Sequence, residues 1–104
     1  MKQITSIEVE KILRNNETLN IIDVREVDEI RTGIIPNAIH IPLGLLEFRL
    51  HELDKSKEYI IVCRSGNRSG LATRFLEGQG FRAINMIGGM LSWKGEIGYH
   101  DLVG

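Results

Sequence analysis

The chain has 104 residues, 42% of them hydrophobic and 26% charged, which predicts a single globular domain over residues 1–104. Its net charge of −1 provides no overall field that would attract nucleic acid or an anionic membrane surface, so we expect neither as a partner. The only cysteine, Cys63, excludes an internal disulfide and a cysteine-rich metal site within one chain. A free thiol and an N-terminus without a signal-peptide pattern predict a cytoplasmic protein.

Helical and extended patterns alternate along the chain. Thr5 and Glu8 have the T-x-x-E spacing of a capping box, which predicts that a helix begins after Thr5. Pro42 suits the start of a helix, and Gly80 suits the end of one. In chain order the predicted elements are a short edge strand at 4–5, a helix at 6–14, a strand at 19–24, a helix at 26–31 capped by Asp23 and closed by Gly33, a strand at 38–41, a helix at 42–53, a strand at 59–62, a helix at 68–79, a strand at 83–86 and a final helix opened by Gly88 and Gly89.

This alternation with short connections is typical of an α/β domain with a mainly parallel sheet. In open parallel sheets the ligand binds at the carboxyl ends of the strands. Three features fall at such ends: Cys63, the pair Asp23 and Arg25, and the turn at Gly88 and Gly89. We therefore expect the functional site where these features meet.

The sequence after Cys63 favours a reactive thiolate. A free cysteine has a pKa of about 8.5, which falls to roughly 3.5–7.5 near helix N-termini and cations. Residues 59–76 contain Arg64, Arg68 and Arg74 and no Asp or Glu, so this stretch carries +3 in a chain whose total is −1. The alternative is that Cys63 is only a small buried hydrophobe, but a buried strand end does not need two arginines directly after it.

Two reaction classes use a cysteine loop of this kind. Phosphoryl transfer through a cysteinyl phosphate requires Cys, five residues, Arg and then Ser or Thr, whereas here that position is Ser69 and Arg68 comes one place early. Because the arginine must hold the phosphoryl oxygens bidentately, a shift of one residue disfavours this chemistry. Sulfur transfer, in which the thiolate takes up a sulfane sulfur as a persulfide, suits the smaller loop.

The motifs of the chain resemble those of rhodanese-like sulfurtransferases. Residues 63–69 (CRSGNRS) look like the active-site loop of that family. Residues 22–26 (IDVRE) are similar to its D-V-R-E segment, residues 33–42 (GIIPNAIHIP) to its G-H-I-P-G-A-x-N-I-P segment, and residues 88–93 (GGMLSW) to its G-G-x-x-x-W ending. The resemblance covers about residues 4–99, which is nearly the whole chain.

The resemblance implies a rhodanese-like domain with a core at about 4–99 and a five-stranded, mainly parallel sheet flanked by helices on both faces. It also implies a thiosulfate sulfurtransferase in which Cys63 is the nucleophile and carries the persulfide. Main-chain N–H groups would cradle the outer sulfur, and the loop residues that would bind substrate are Arg64, Ser65, Gly66, Asn67, Arg68 and Ser69. Arg64 and Arg68 would bind a small anionic donor such as thiosulfate or a persulfide. The acceptor would be cyanide, a thiol or a protein, and we expect no cofactor.

Two other functions stay open on the sequence: a cysteine-dependent phosphatase or arsenate reductase, and a non-catalytic regulatory module. Asp23 and Arg25 are expected either to support the loop or to form a buried structural ion pair. His40, His51 and His100 share no metal-ligand spacing, so we expect no metal. None of the three is placed as an obvious base, which a preformed thiolate would not need.

Overall fold

The computed structural model describes residues 1–99 as one α/β unit built on a five-stranded sheet. The strands are β1 (Lys2–Thr5), β2 (Asn20–Asp23), β3 (Ile39–His40), β4 (Glu58–Val62) and β5 (Arg82–Ile87). The α-helices are α1 (Ser6–Arg14), α2 (Val27–Ile30) and α3 (Asn67–Gly78). Three short 3₁₀ helices span Leu43–Phe48, Leu50–Glu52 and Met90–Ser92.

The start of α1 follows from the predicted capping box. The Thr5 hydroxyl accepts a hydrogen bond from the backbone N–H of Glu8 at 3.1 Å, and the Glu8 carboxylate accepts one from the backbone N–H of Thr5 at 3.1 Å. Two backbone donors that a helix start leaves unpaired are thereby satisfied. The same residue ends β1, so the chain turns directly from an edge strand into a helix that packs beside the sheet.

All strand pairs are parallel, in the spatial order β1-β5-β4-β2-β3. The carboxyl ends of β2 and β4 are in register, since Asp23 lies opposite Val62. The Val24 N–H then donates to the Val62 carbonyl at 2.8 Å, which extends the pairing beyond the strand end. This register brings the Asp23–Arg25 segment to the same edge of the sheet as Cys63, and it confirms the predicted fold.

Two apolar clusters cover the two faces of the sheet. Successive side chains of a strand point to opposite faces, so Ile60 joins one cluster and Ile61 the other. The cluster on the α3 face contains Ile22, Ile61, Cys63, Leu46, Ala72 and Leu76. The cluster on the α1 and α2 face contains Val9, Ile21, Ile30, Ile60, Val62 and Met86. Cys63 therefore points toward α3, whose N-terminus faces the loop.

Several predicted helices are shorter or of another kind. The helix expected at 42–53 consists of two 3₁₀ helices separated by Arg49. The leucines at 43, 46, 50 and 53 have the spacings three, four and three that an α-helical stripe requires. In the structure Leu43 and Leu46 align within the first 3₁₀ helix, and Arg49 adds the extra residue before Leu50. The helix expected after Gly89 is a single 3₁₀ turn, because the chain is extended again at Trp93.

The cap predicted for α2 is also different. The helix begins after Glu26, whose N–H donates to the Glu29 carboxylate at 3.0 Å, whereas the Asp23 carboxylate binds Arg25.

In residues 1–99 no helix is both long enough and apolar enough to cross a membrane.

Candidate active site

Cys63 directly follows β4, and its side chain is fully buried. The loop after it is short, since α3 begins at Asn67. Gly66 turns the chain with a φ of 111°, a conformation that favours glycine, and its N–H donates to Cys63 Sγ at 3.0 Å. The strand end and the helix start thus place a backbone donor against the sulfur, as the sequence predicted.

The Gly88–Gly89 turn closes on the other side of this loop. The Met90 N–H donates to the Cys63 carbonyl at 2.9 Å, and the Leu91 N–H donates to the Arg64 carbonyl at 3.0 Å. A Cβ on Gly89, whose φ is 56°, would stand 2.3 Å from the Arg64 carbonyl oxygen. A glycine is therefore required at 89 for the loop carbonyls to reach their donors, which brings the predicted Gly-Gly turn and the cysteine loop together.

A buried hydrogen-bond network continues from the sulfur into the sheet. Cys63 Sγ and Ser69 Oγ are 3.2 Å apart, and the Ser69 hydroxyl donates to Asn85 Oδ1 at 2.5 Å. Asn85 Nδ2 in turn donates to the Gly66 carbonyl at 3.2 Å. Asn85 lies on β5 and was not predicted as a site residue. The signal for it was a polar residue inside an apolar strand, because buried polar groups need partners.

Two opposing effects set the ionisation of Cys63. Burial raises the pKa of the thiol, whereas hydrogen bonds from the Ser69 hydroxyl and from the backbone N–H groups of Ser69, Gly66 and Ser65 lower it. The hydrogen bonds outweigh the burial, so the pKa of Cys63 lies below its usual value. The site therefore favours a thiolate, through donors that the loop and the start of α3 provide.

Arg68 does not stand free in the loop. Its guanidinium donates to both carboxylate oxygens of Glu29 on α2, at 2.5 and 2.7 Å. This bidentate pair holds the pKa of Glu29 at about 2, although burial opposes the shift. The positive charge expected from residues 59–76 is therefore partly neutralised by an acidic residue from another part of the chain.

Arg64 and Arg74 are exposed, and neither forms an ion pair within residues 1–99. Arg74 borders a cavity of about 350 Å³ beside the loop, which Ser65, Gly66 and Asn67 also line. A larger cleft of about 820 Å³ lies elsewhere, between the end of α1 and the segment after Trp93, and no residue of the cysteine loop lines it. Cys63 lines neither of these two cavities.

Asp23 and Arg25 form a buried ion pair at the end of β2. The Arg25 guanidinium donates to Asp23 Oδ2 at 2.9 Å and to the Gly33 carbonyl at 2.8 Å. It also reaches the Glu29 carbonyl at 3.4 Å, on the same residue whose side chain binds Arg68. The pair therefore ties β2 to α2, and α2 carries the partner of the loop arginine.

His40 contacts the backbone of this ion pair. His40 Nε2 is 2.7 Å from the Arg25 carbonyl oxygen, while His51 is exposed and His100 lies outside the described residues. In the part of the chain that the structure describes, no group of three or more His, Cys, Asp or Glu side chains could hold a metal ion.

Comparison with known proteins identifies the family. The profile of the Rhodanese-like domain matches residues 5–96. YtwF of Bacillus subtilis (strain 168), provisionally named a sulfurtransferase, is 42% identical over 96 residues, which are 92% of this chain and 93% of YtwF. The thiosulfate sulfurtransferase GlpE of Coxiella burnetii (strain RSA 331 / Henzerling II) is 31% identical over 94 residues, 89% of this chain and 87% of GlpE.

Solved structures agree. The crystal structure of a rhodanese-like domain protein from Staphylococcus aureus matches with a TM-score of 0.91 and 36% identity, covering 97% of this chain and 100% of that one. The resemblance seen in the four motif segments is thereby confirmed along most of the chain. The chain belongs to the rhodanese-like domain family, whose curated relatives include proteins named as sulfurtransferases.

Proposed function

We propose that the chain is a sulfurtransferase that moves a sulfane sulfur from an anionic donor to a thiophilic acceptor through a persulfide on Cys63. The observation that carries this proposal is the placement of Cys63 Sγ, which lies 3.0 Å from the Gly66 N–H and 3.2 Å from the Ser69 hydroxyl. The Gly66 N–H stabilises the thiolate, and the Ser69 hydroxyl can do so once the sulfur has lost its proton. The thiolate is the form of cysteine that attacks sulfur. The thiosulfate sulfurtransferase name of GlpE supports thiosulfate as a donor.

The reaction divides into two displacements. The Cys63 thiolate attacks the outer sulfur of thiosulfate, an Sγ–S bond forms, and the S–S bond of the donor breaks as sulfite leaves with the electron pair. Cyanide then attacks the outer sulfur of the persulfide, the Sγ–S bond breaks, and thiocyanate leaves while the thiolate is restored. No proton or electron has to be supplied in either step. The substituted-enzyme intermediate gives ping-pong kinetics.

The loop residues have distinct roles in this proposal. The main-chain N–H groups from Arg64 to Ser69 cradle the outer, negatively charged sulfur of the persulfide. Arg64, whose side chain forms no ion pair within residues 1–99, attracts the anionic donor. Arg68 binds the donor only in competition with Glu29, because its guanidinium already holds that carboxylate. Asp23 and Arg25 act on the loop through α2.

Cyanide is a convenient acceptor, and a small thiol or a protein thiolate can take the same role by the same displacement.

We place the reaction in the cytoplasm because a single free cysteine persists in a reducing compartment.

The test is intact mass spectrometry after anaerobic incubation with thiosulfate, glutathione persulfide, polysulfide or mercaptopyruvate. We expect at least one donor to add one sulfur atom to the chain, and cyanide to remove it as thiocyanate. Cys63→Ser is expected to gain no sulfur and to lose turnover while its circular dichroism spectrum stays unchanged.

Three outcomes would overturn the proposal. Hydrolysis of an aryl phosphate that depends on Cys63, without sulfur uptake, would indicate phosphoryl transfer. Failure of every donor, with Cys63 still reactive toward iodoacetamide, would remove sulfur transfer as the function. Failure of every donor together with an unreactive Cys63 at neutral pH would indicate a non-catalytic module.

A further inference from the structure

The hydroxyl of Ser69 lies between two atoms that compete for its single proton. Ser69 Oγ is 3.2 Å from Cys63 Sγ and 2.5 Å from Asn85 Oδ1, and all three side chains are buried. Asn85 Oδ1 is only an acceptor, so while the sulfur keeps its own proton the hydroxyl proton goes to Asn85. When the sulfur ionises it becomes an acceptor as well, and one hydroxyl proton cannot satisfy both.

The second hydrogen bond of Asn85 fixes the orientation of its amide. Asn85 Nδ2 donates to the Gly66 carbonyl at 3.2 Å. If the amide were turned over, Oδ1 would face that carbonyl oxygen, and two acceptors would meet in a buried place. The acceptor end of Asn85 is therefore held toward Ser69, and the amide cannot adapt by offering Ser69 a donor instead.

We propose that Asn85 is a positioning residue that holds the Ser69 hydroxyl away from Cys63 and thereby sets the balance between thiol and thiolate. In the thiol state the Sγ proton goes to Ser69 Oγ and the Ser69 proton to Asn85 Oδ1. On ionisation the Cys63 proton leaves to water, the hydroxyl rotates toward Sγ, and Asn85 Oδ1 loses its donor. Because a buried acceptor without a donor is unfavourable, Asn85 opposes part of the stabilisation that Ser69 gives the thiolate.

The charged groups packed around Cys63 come from three elements and the loop. They are Arg64 in the loop, Arg68 on α3 with its partner Glu29 on α2, and the Asp23–Arg25 pair at the end of β2. A substitution at Asn85 leaves all of these groups in place. A shift in the pH midpoint of Cys63 ionisation, relative to the unmodified chain, therefore arises from the hydrogen bonds among Cys63, Ser69 and Asn85.

The test is the pH dependence of Cys63 alkylation by iodoacetamide. Asn85→Leu removes the competing acceptor, so we expect the midpoint to move to lower pH by roughly half a unit to one unit. Ser69→Ala should move it to higher pH, and adding Asn85→Leu to Ser69→Ala should have no further effect. Asn20→Leu is the matched control, because Asn20 Nδ2 also donates to a backbone carbonyl, that of Glu58, but at the opposite end of the sheet.

A merely structural role of Asn85 predicts the opposite sign. If Asn85 acted only by holding the loop through the Gly66 carbonyl, its loss would loosen the donors around the sulfur. The midpoint would then rise, with or without Ser69. An unchanged or raised midpoint in folded Asn85→Leu, or a shift that persists in the Ser69→Ala background, would overturn the proposal.

Nuclear magnetic resonance keeps the proposal testable if Asn85 variants do not fold. In the unmodified chain, the side-chain carbonyl carbon of Asn85 should change its chemical shift at the midpoint of Cys63, and this response should be lost in Ser69→Ala. A response absent from the unmodified chain, or unaltered in Ser69→Ala, would contradict the inference. The importance of Asn85 for catalysis rests on the proposed sulfur transfer. Neither measurement uses a sulfur donor, so the role of Asn85 and the sulfur transfer can be refuted separately.

Discussion

The ion pair between Glu29 and Arg68 predicts a specific dependence of stability on pH. It joins α2 to the start of α3, two elements 39 positions apart in sequence, through two hydrogen bonds of 2.5 and 2.7 Å. Glu29→Gln removes the charge but keeps a side-chain oxygen that can accept from the Glu26 N–H. The substitution therefore tests the ion pair without removing the cap of the helix.

The magnitude follows from the pKa of Glu29, which is about 2 in the folded chain against an ordinary value of 4.5. At roughly 1.4 kcal/mol per pKa unit, this difference limits the contribution of the ion pair to the free energy of unfolding to about 3 kcal/mol. The side chains of Arg68 and Glu29 are 32% and 27% exposed, so solvent screening reduces the contribution, and we expect about 1–2 kcal/mol. The folded pKa is the lower one, so the contribution is complete above about pH 4.5 and is lost as the pH falls toward 2.

Urea denaturation at pH 7, 5, 4 and 3 measures this difference. The free energy of unfolding of Glu29→Gln should be about 1–2 kcal/mol below that of the unmodified chain at pH 7 and 5, with the gap narrowing at pH 4 and less than half as large at pH 3. Glu47→Gln is the control, because Glu47 is exposed and forms no ion pair within residues 1–99. A gap that stays constant from pH 7 to pH 3 would refute the electrostatic explanation.

Three further predictions concern the loop. Glu29→Gln should also lower the KM for thiosulfate about fivefold if Arg68 binds the donor, and an unchanged KM in steady-state thiosulfate:cyanide assays would assign Arg68 to structure alone. Arg64→Gln should raise that KM several-fold at low salt and much less at high salt, whereas Lys57→Gln, at the opposite end of β4, should not change it. Gly89→Ala should cost about 2 kcal/mol or more of stability in urea denaturation, because its Cβ would stand 2.3 Å from the Arg64 carbonyl oxygen. Gly44→Ala has open space around its Cβ and should change stability by less than about 0.5 kcal/mol.

Much of the fold could be predicted because the signals were local. The capping box at Thr5 and Glu8 needs only four consecutive residues, and it formed as expected. Apolar β-branched runs bounded by polar residues located the three central strands, β2, β4 and β5, with ends shifted by one residue. The number of strands followed from the family resemblance, whereas their order in the sheet was not predicted, since pairing joins residues far apart in sequence.

The errors share a physical cause. Leucines between 43 and 53 have the spacings of an α-helix, but two 3₁₀ helices with Arg49 between them bury the same leucines against the sheet. The charge count over residues 59–76 was correct as a count, but it could not include Glu29, which tertiary structure brings to Arg68. Asn85 was missed for the same reason, because its partners Ser69 and Gly66 lie at least 16 positions away.

These contacts change the account of what stabilises a thiolate at Cys63. The sequence predicted two contributions, a helix N-terminus and nearby cations, but Arg68 shares its charge with Glu29, and Arg64 is exposed to solvent that screens it. The Gly66 N–H donates to the sulfur at 3.0 Å, and Ser69 Oγ, 3.2 Å from the sulfur, accepts the thiol proton and can donate only after the sulfur has lost it. A backbone donor persists when a loop side chain is replaced, whereas it moves when the loop changes length. The proposed thiolate at Cys63 therefore depends more on the spacing between Cys63 and α3 than on the number of arginines.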